Sequence, residues 1–399
     1  MRLGGLVLAV VGVVAVVGNE GVARGEEAEA PPALPESGAK DDHSAKAGAF
    51  GYLPTEELET LSELWDLQTV TTSRRAQKVS RAPAVVRIVT RQEIEDRGYK
   101  DLKDVFIDLP GFDVSRNLSG EVRTLAMVRG MIGEQKLLVM RNGRRLNATT
   151  GERLVIGNNM PLFDVERIEI VYGPSSAVYG ADAYSGTINL ITRDFASDGA
   201  ARVDLSYGTQ STKDVGLFAS GELTDGVELI GSVRFFDSAG YDPRGNYPEF
   251  AVKQVYEQPI RDYNVDLRLR VGELTIGYYR MDAKEPGGPN TSLDFYTFDD
   301  SYIWWQKQNW LYAEHRRAGS SWELTTTASY EDYEIDPAST FWYGPDGLNI
   351  GHQYKYARNQ GVQVNQQLDV EILSGLNPAA GCMAVWVSAF AKGNNLNAP

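Results

Sequence analysis

From residue 201 to about residue 372 the chain is written with a period of two, and this limits what it can fold into. Val227, Leu229, Gly231, Val233 and Phe235 share one parity, with Glu228, Ser232 and Arg234 on the other. Val265, Leu267, Leu269 and Val271 alternate with Asp266, Arg268 and Arg270. Trp322, Leu324, Thr326, Ala328 and Tyr330 alternate with Glu323, Thr325, Thr327, Ser329 and Glu331. Successive side chains of a strand point to opposite faces, so each segment presents one apolar and one polar face. About eight such strands are expected, near 201–209, 213–223, 227–238, 262–271, 274–284, 306–317, 321–333 and 354–372. Short links (209–212, 224–226, 272–273, 318–320) contrast with long ones (239–261, 285–305, 336–353). Alternating strands of roughly ten residues, with short turns at one end and long loops at the other, fit an antiparallel transmembrane β-barrel. A soluble up-and-down sheet is the competing reading.

Composition narrows the function. The formal net charge is −15 over 399 residues, which argues against a nucleic-acid binder. No apolar run after the N-terminus approaches the ~18 residues of a spanning helix. Twenty Tyr and seven Trp suit β structure and interfacial girdles. The single Cys, Cys382, rules out an intrachain disulfide and a Cys-cluster metal site. His43, His315 and His352 are far apart in sequence, so no metal centre or catalytic residue is assigned and no cofactor is expected.

Ahead of the alternating region the texture is mixed. Residues 1–25 read as a signal peptide: Arg2, an apolar stretch over 6–17, then Ala23 and Gly25 before Glu26. Residues 26–66 read as a linker poor in apolar anchors. It ends in a short amphipathic helix with Leu58, Leu61, Leu64 and Trp65 on one stripe. Leu67, Gln68, Thr69, Val70 and Thr71 are β-prone. They fit either a strand of the chain's own sheet or a segment that adds to another protein's sheet edge.

Residues 67–194 read as an α+β domain. A strand at 84–90 runs into a helix with Thr90 and Glu93 as a capping box. Leu102, Val105, Phe106 and Leu109 form a second helical stripe, ended by Pro110-Gly111. Asn142-Gly143 is a two-residue hairpin signal. Strands at 167–172 and 187–192 flank a Gly-, Ser- and Ala-rich segment at 173–186. Ile168, Ile170 and Tyr172 alternate with Arg167, Glu169 and Val171, which predicts burial mainly on one face.

Five runs now stand in order: TVTTSRRAQKVSRAPAVVRIVTRQEI (69–94), LPGFDVSR (109–116), VRG (128–130), LLVMRNGRRLN (137–147) and VERIEIVYGPSSAVYGADAYSGTINLITR (165–193). Together they resemble the N-terminal part of a TonB-dependent outer-membrane receptor, a plug domain followed by the start of its barrel. The resemblance implies a plug at 67–194 and a partial barrel at 195–373. It places the TonB box at Leu67, Gln68, Thr69, Val70 and Thr71. It implies plug–barrel contacts at Arg129, Glu169, Gly173, Pro174, Gly180 and Gly186. Tyr172 stands where the family often has Arg, which implies a smaller ion network.

The implied function is TonB-energised uptake across the bacterial outer membrane. The ligand would be a scarce extracellular one: a ferric siderophore first, with cobalamin, haem or a glycan as others. The implied partners are TonB with its inner-membrane proton-driven complex, outer-membrane lipids and the small-molecule ligand. Asn117, Asn147, Asn158, Asn159, Tyr241, Trp304, Trp305 and Trp342 are the ligand candidates, being polar or aromatic groups placed in loops. No covalent chemistry, and hence no enzyme, is required. Plugged transporters of this kind have about 22 strands, whereas a closed eight-stranded barrel holds little more than its own side chains. The barrel is therefore expected to be incomplete. Residues 374–399 show no clean alternation and read as an atypical tail left by truncation or frameshift. The alternative is a soluble periplasmic or secreted plug-like binding module without transport.

Overall fold

The computed structural model describes residues 9–11, 68–71, 77–79, 82, 84–116, 124–132, 136–148, 151, 154–195, 200–240, 259–286, 303–341, 353–370 and 379–395. In chain order, β1 (Ala9–Val11) precedes β2 (Gln68–Thr69), β3 (Gln77–Lys78) and β4 (Val85–Thr90). Two helices follow, α1 (Arg91–Asp96) and α2 (Leu102–Asp108). Then come β5 (Phe112–Arg116), β6 (Thr124–Val128), β7 (Met131–Ile132), β8 (Leu137–Arg141) and β9 (Arg144–Arg145). β10 (Val165–Tyr172), the single-turn α3 (Ser176–Tyr179) and β11 (Gly186–Thr192) complete the first domain.

Local chemistry accounts for most of these boundaries. The Thr90 hydroxyl caps α1 by accepting the Glu93 amide at 3.3 Å. The Glu93 carboxylate, expected to return to Thr90, binds Arg87 at 2.6 Å instead. Leu102, Val105 and Phe106 of α2 are buried, and Phe106 meets Phe112 at 5.0 Å between ring centroids. Asn142 and Gly143 both take positive φ, 49° and 75°, which gives the tight turn between β8 and β9. A five-stranded sheet in the order β4-β10-β11-β8-β9 is antiparallel except for the parallel pair β11 and β8. Ile168, Ile170, Ile188 and Leu190 point from it into the core under the two helices. The prediction that β10 is buried mainly on one face needs correction. Glu169 and Val171, of the opposite parity, are also buried, at 0% and 2% exposure.

The alternating region forms one antiparallel sheet of nine long strands. They are β12 (Ala200–Gly208), β13 (Thr212–Thr224), β14 (Val227–Ser238), β15 (Ile260–Val271), β16 (Leu274–Pro286), β17 (Ile303–Ala318), β18 (Trp322–Ile335), β20 (Gln353–Val370) and β21 (Ala379–Asn395). The two-residue β19 (Thr340–Phe341) pairs with β20, and β1 pairs with β21. The sheet is open and runs from β12 to the β21 side. All eight expected strands are present. The ninth, β21, lies where no alternation was evident, because both of its faces carry small or apolar residues. Burial still alternates along it, from exposed Ala380, Cys382, Ala384 and Trp386 to half-buried Gly381, Met383, Val385 and Val387. Among the described residues no helix is long and apolar enough to cross a membrane.

The sheet curves over one side of the plug-like domain. Tyr279, Met281 and Trp310 enter the domain's own core, and Trp304, Tyr333, Ile335 and Ala357 close over Ala148 and Val155. The opposite face is lined by exposed apolar side chains, including Val203, Leu205, Leu267, Ile276 and Leu311. A Cβ on Gly216 would sit 3.1 Å from the Phe163 ring, so glycine there lets the wall approach the plug closely.

Candidate functional site

Residues 69–71 are held by one carboxylate. Glu169, in the middle of β10, lies on the sheet face away from the hydrophobic core. Its Oε2 accepts from the Thr69 hydroxyl at 2.8 Å and the Thr71 hydroxyl at 2.6 Å. It also accepts from the Val70 and Thr71 amides at 2.9 and 3.0 Å. Oε1 takes the Arg167 guanidinium at 2.9 Å. Asn189 on β11, the register partner of Glu169, donates to the Thr71 hydroxyl at 3.2 Å. Thr69, Thr71 and Glu169 are each fully buried. β2 is also paired with β3, Gln68 opposite Lys78 and Thr69 opposite Gln77. A short polar strand is thus stored against the underside of a rigid sheet by hydrogen bonds to one charged group, with little apolar burial to hold it.

This arrangement gives Glu169 partners other than the expected wall contacts. Among the described residues it grips Thr69–Thr71 and Arg167 and touches no strand of the wall. Among the described residues, the contacts of the other expected residues also lie within the plug. Gly186 sits inside β11, where a Cβ would meet the Val171 carbonyl at 3.0 Å. Gly173 is buried and donates to the Ser185 carbonyl, while Pro174 and Gly180 are exposed. The segment between them is tied back by Arg145, which binds Asp182 at 2.6 Å and the Ala181 carbonyl at 2.6 Å. Arg129 is exposed, with its guanidinium 5.7 Å from the centroid of the Tyr172 ring. The small residues let this segment fold onto β8, and the described strands cover a different side of the domain.

The contact with the wall is made by other charges. Arg141, at the end of β8, binds Asp164 at 2.5 Å and Asp266 of β15 at 2.9 Å. Ser232 of β14 also donates to Asp164, at 2.5 Å. Burial works against the Arg141 charge; Asp164 and Asp266 overcome it and hold the group above the ordinary arginine range. Arg234 of β14 bridges Asp101 at 2.7 Å and Asp214 at 2.7 Å. Burial pushes the Asp101 carboxyl up to about 6, against the opposing charges of Arg234 and Lys103. Arg144 lies 3.3 Å from the centroid of the Tyr312 ring and binds Glu314 at 3.3 Å. The sequence showed these charges on alternating strands, yet nothing in it paired Arg141 with a residue 125 positions away.

The ligand candidates divide. Asn147 is buried, accepting from the Val139 amide and donating to the Leu137 carbonyl, so it fixes a turn. Asn159 is fully buried and donates to the Val155 carbonyl at 2.9 Å. Trp304 is buried between plug and wall. Burial in these three places leaves none of them open to a ligand. Asn158 is half-buried and takes Lys103 at 2.6 Å. Trp305 projects from the outer face of the sheet. Leu67, Asn117, Tyr241 and Trp342 lie outside the described residues, as do the 55–66 helix and the 1–25 segment apart from β1.

Residues 78–187 match the TonB-dependent Receptor Plug Domain. That stretch is a TonB-dependent receptor plug domain. Among curated relatives of this chain, the Vitamin B12 transporter BtuB of Vibrio vulnificus (strain CMCP6) is 30% identical over 206 residues, covering 52% of this chain and 32% of the relative. The Iron-regulated outer membrane virulence protein of Vibrio cholerae is 32% identical over 195 residues, covering 46% and 28%. The chain thus spans about a third of the length of these relatives. A solved structure of the pyoverdine outer membrane receptor FpvA from Pseudomonas aeruginosa PAO1, bound to pyoverdine, superposes with a TM-score of 0.63 at 18% identity. It covers 80% of this chain and 49% of that one. The ferric-catecholate import receptor Fiu from E. coli, in its closed form, superposes at 0.59 with 15% identity, covering 82% and 50%. At these identities the structural likeness establishes the fold: a plug against an antiparallel wall.

Proposed function

We propose that this chain is the plug and leading barrel wall of an outer-membrane receptor for TonB-energised uptake, with residues 67–71 as its TonB box. The observation that carries the reading is the hold of Glu169 on Thr69–Thr71. A segment that must pair with a partner's sheet edge has to be extended, polar and releasable. Gln68 and Thr69 are extended, Val70 and Thr71 turn over the carboxylate, and hydrogen bonds to that one group can be exchanged for hydrogen bonds to a partner strand. Release moves the segment without disturbing the apolar core on the other face of β10.

A ferric siderophore is the favoured ligand. The supporting observations are the iron-regulated relative, whose iron link is in its name, and the pyoverdine-bound and ferric-catecholate receptors of the same fold. Cobalamin is the second reading, supported by the named activity of the B12 transporter relative. Binding, plug displacement and release involve no bond-making, so the protein acts as a transporter and not as an enzyme.

The test is Val70→Pro in the complete receptor. Proline removes the ladder donor at the centre of the segment. Ferric-siderophore uptake driven by TonB should fall to the level of a TonB-deficient strain, while surface binding of the same siderophore is retained. Unchanged energised uptake in this variant would overturn the assignment of the box.

A further inference from the structure

The turn between β8 and β9 is fastened on two sides. Toward the wall, Arg141 just before it binds Asp266 of β15 at 2.9 Å. Arg144 just after it stacks on Tyr312 and binds Glu314 of β17 at 3.3 Å. Toward the sheet, the turn is tied to β11. The Asn142 amide donates to the Leu190 carbonyl at 2.9 Å. The Asn142 side chain donates to the Thr192 hydroxyl at 2.8 Å and accepts from the Thr192 amide at 2.9 Å. The Gly143 amide donates to Oδ1 of Asn189 at 3.0 Å.

Asn189 bonds to the N-terminal segment as well. Its Nδ2 donates to the Thr71 hydroxyl at 3.2 Å, and that hydroxyl donates to Glu169 at 2.6 Å. Chemistry sets the direction of each bond in this chain. The Gly143 amide can only donate, so Asn189 presents its oxygen to the turn and its NH2 to Thr71. The Glu169 carboxylate accepts, so the Thr71 hydroxyl points its proton there and offers a lone pair to Asn189. With its amide reversed, Asn189 would set NH2 against the Gly143 N–H and present Thr71 with an oxygen in place of a donor. The wall-docked turn thus holds Asn189 in the orientation that keeps residues 69–71 in place. Asn189, Thr71 and Glu169 are all buried, which strengthens each bond and makes a broken one costly.

We infer that Asn189 is a positioning residue that makes the hold on residues 69–71 depend on the docking of the 141–145 hairpin against the wall. A shift of the hairpin away from β15 and β17 carries the Gly143 amide off Oδ1. The Asn189 side chain is then free to rotate, and the segment loses one of its bonds. A plug–wall contact thereby biases the release of a segment elsewhere on the plug. The inference rests on the reading of residues 67–71 as the TonB box, and it adds which contact regulates the release of that box.

The test is hydrogen exchange of the full chain in dodecyl maltoside micelles, read at the amides of residues 70 and 71. Asn189→Ala should speed both about 5-fold, the worth of one neutral hydrogen bond. Arg144→Gln, which removes the Tyr312 and Glu314 contacts of the hairpin, should speed them about 3-fold in the parent. In the Asn189→Ala background the same change should have no effect. Thr71→Val cuts the link from the segment side without altering β11, and there too Arg144→Gln should have no effect. This dependence on Arg144 is a readout that a merely structural Asn189 would not move. The Ile170 amide should keep the parent rate throughout. No acceleration by Arg144→Gln in the parent, or the same acceleration in all three backgrounds, would overturn the inference. Equal acceleration at Ile170 would also overturn it, by showing that the whole sheet has loosened. None of these measurements involves TonB. Unchanged uptake in Val70→Pro would remove the box and leave the dependence on Arg144 measurable, so the two readings fail separately.

Discussion

Glu169→Gln is the most informative substitution in the plug. Four donors from residues 69–71 converge on one carboxylate oxygen, while Arg167 holds the other. Glutamine keeps the shape and loses the charge. With its amide oxygen toward the segment, its NH2 faces the Arg167 donors; turned the other way, the NH2 faces the four segment donors. Hydrogen bonds to charged groups are worth about 1.5–3 kcal/mol net and neutral ones about 0.5–1.5. Losing that difference at four contacts, offset by no longer burying a charge, weakens storage of the segment by about 2–3 kcal/mol. The opening equilibrium should then rise roughly 30- to 140-fold. Hydrogen exchange reads this directly, because two of the donors are the Val70 and Thr71 amides. In the variant these amides should exchange faster by that factor, while the amide of Ile170, in the middle of β10, should keep the parent rate. Unchanged exchange at Val70 and Thr71 would refute the clamp. An equal acceleration at Ile170 would do so too, by showing general loosening of the plug. A double-mutant cycle with Thr71→Val should show coupling, since both changes remove the same bond.

Two further predictions concern the plug–wall contact. Arg141→Ala leaves Asp164 and Asp266, 3% and 5% exposed, without their shared cation. It should cost about 3–5 kcal/mol in a urea titration of the detergent-solubilised chain, with part of the loss restored by Asp266→Asn. Asp101→Asn tests the pH dependence. Its folded value of about 6 lies above the unfolded carboxylate value, so the folded state binds the proton more tightly. This group therefore opposes folding increasingly as pH rises from about 4 to about 6, and by a constant amount above that. Thermal unfolding across this window should lose that slope in Asp101→Asn. A slope equal to the parent's would show that Asp101 is not its source.

The sequence by itself determined the local geometry and the class of protein. Period-two alternation, with Asn142-Gly143 at a turn and Thr90 at a cap, acts within a few residues, and each was legible. So was the order of the plug motifs. Alternation also separates Trp304 from Trp305, though it does not say which parity faces the plug. Only the tertiary structure decided that Trp304 is buried against Val155 while Trp305 projects outward beside Lys284. It also decided that Asn147 and Asn159 are spent on backbone groups, and that residues 173–186 fold onto their own sheet. β21 escaped notice because both of its faces are small or apolar, and a pattern needs contrast to be seen. The hold of Glu169 on residues 69–71 escaped notice for a different reason. A charged residue on a strand announces that it needs partners, but these come from a segment 98–100 residues earlier in the chain. Bond partners at that separation are fixed by how the sheet and the N-terminal arm meet in space, which no local pattern encodes.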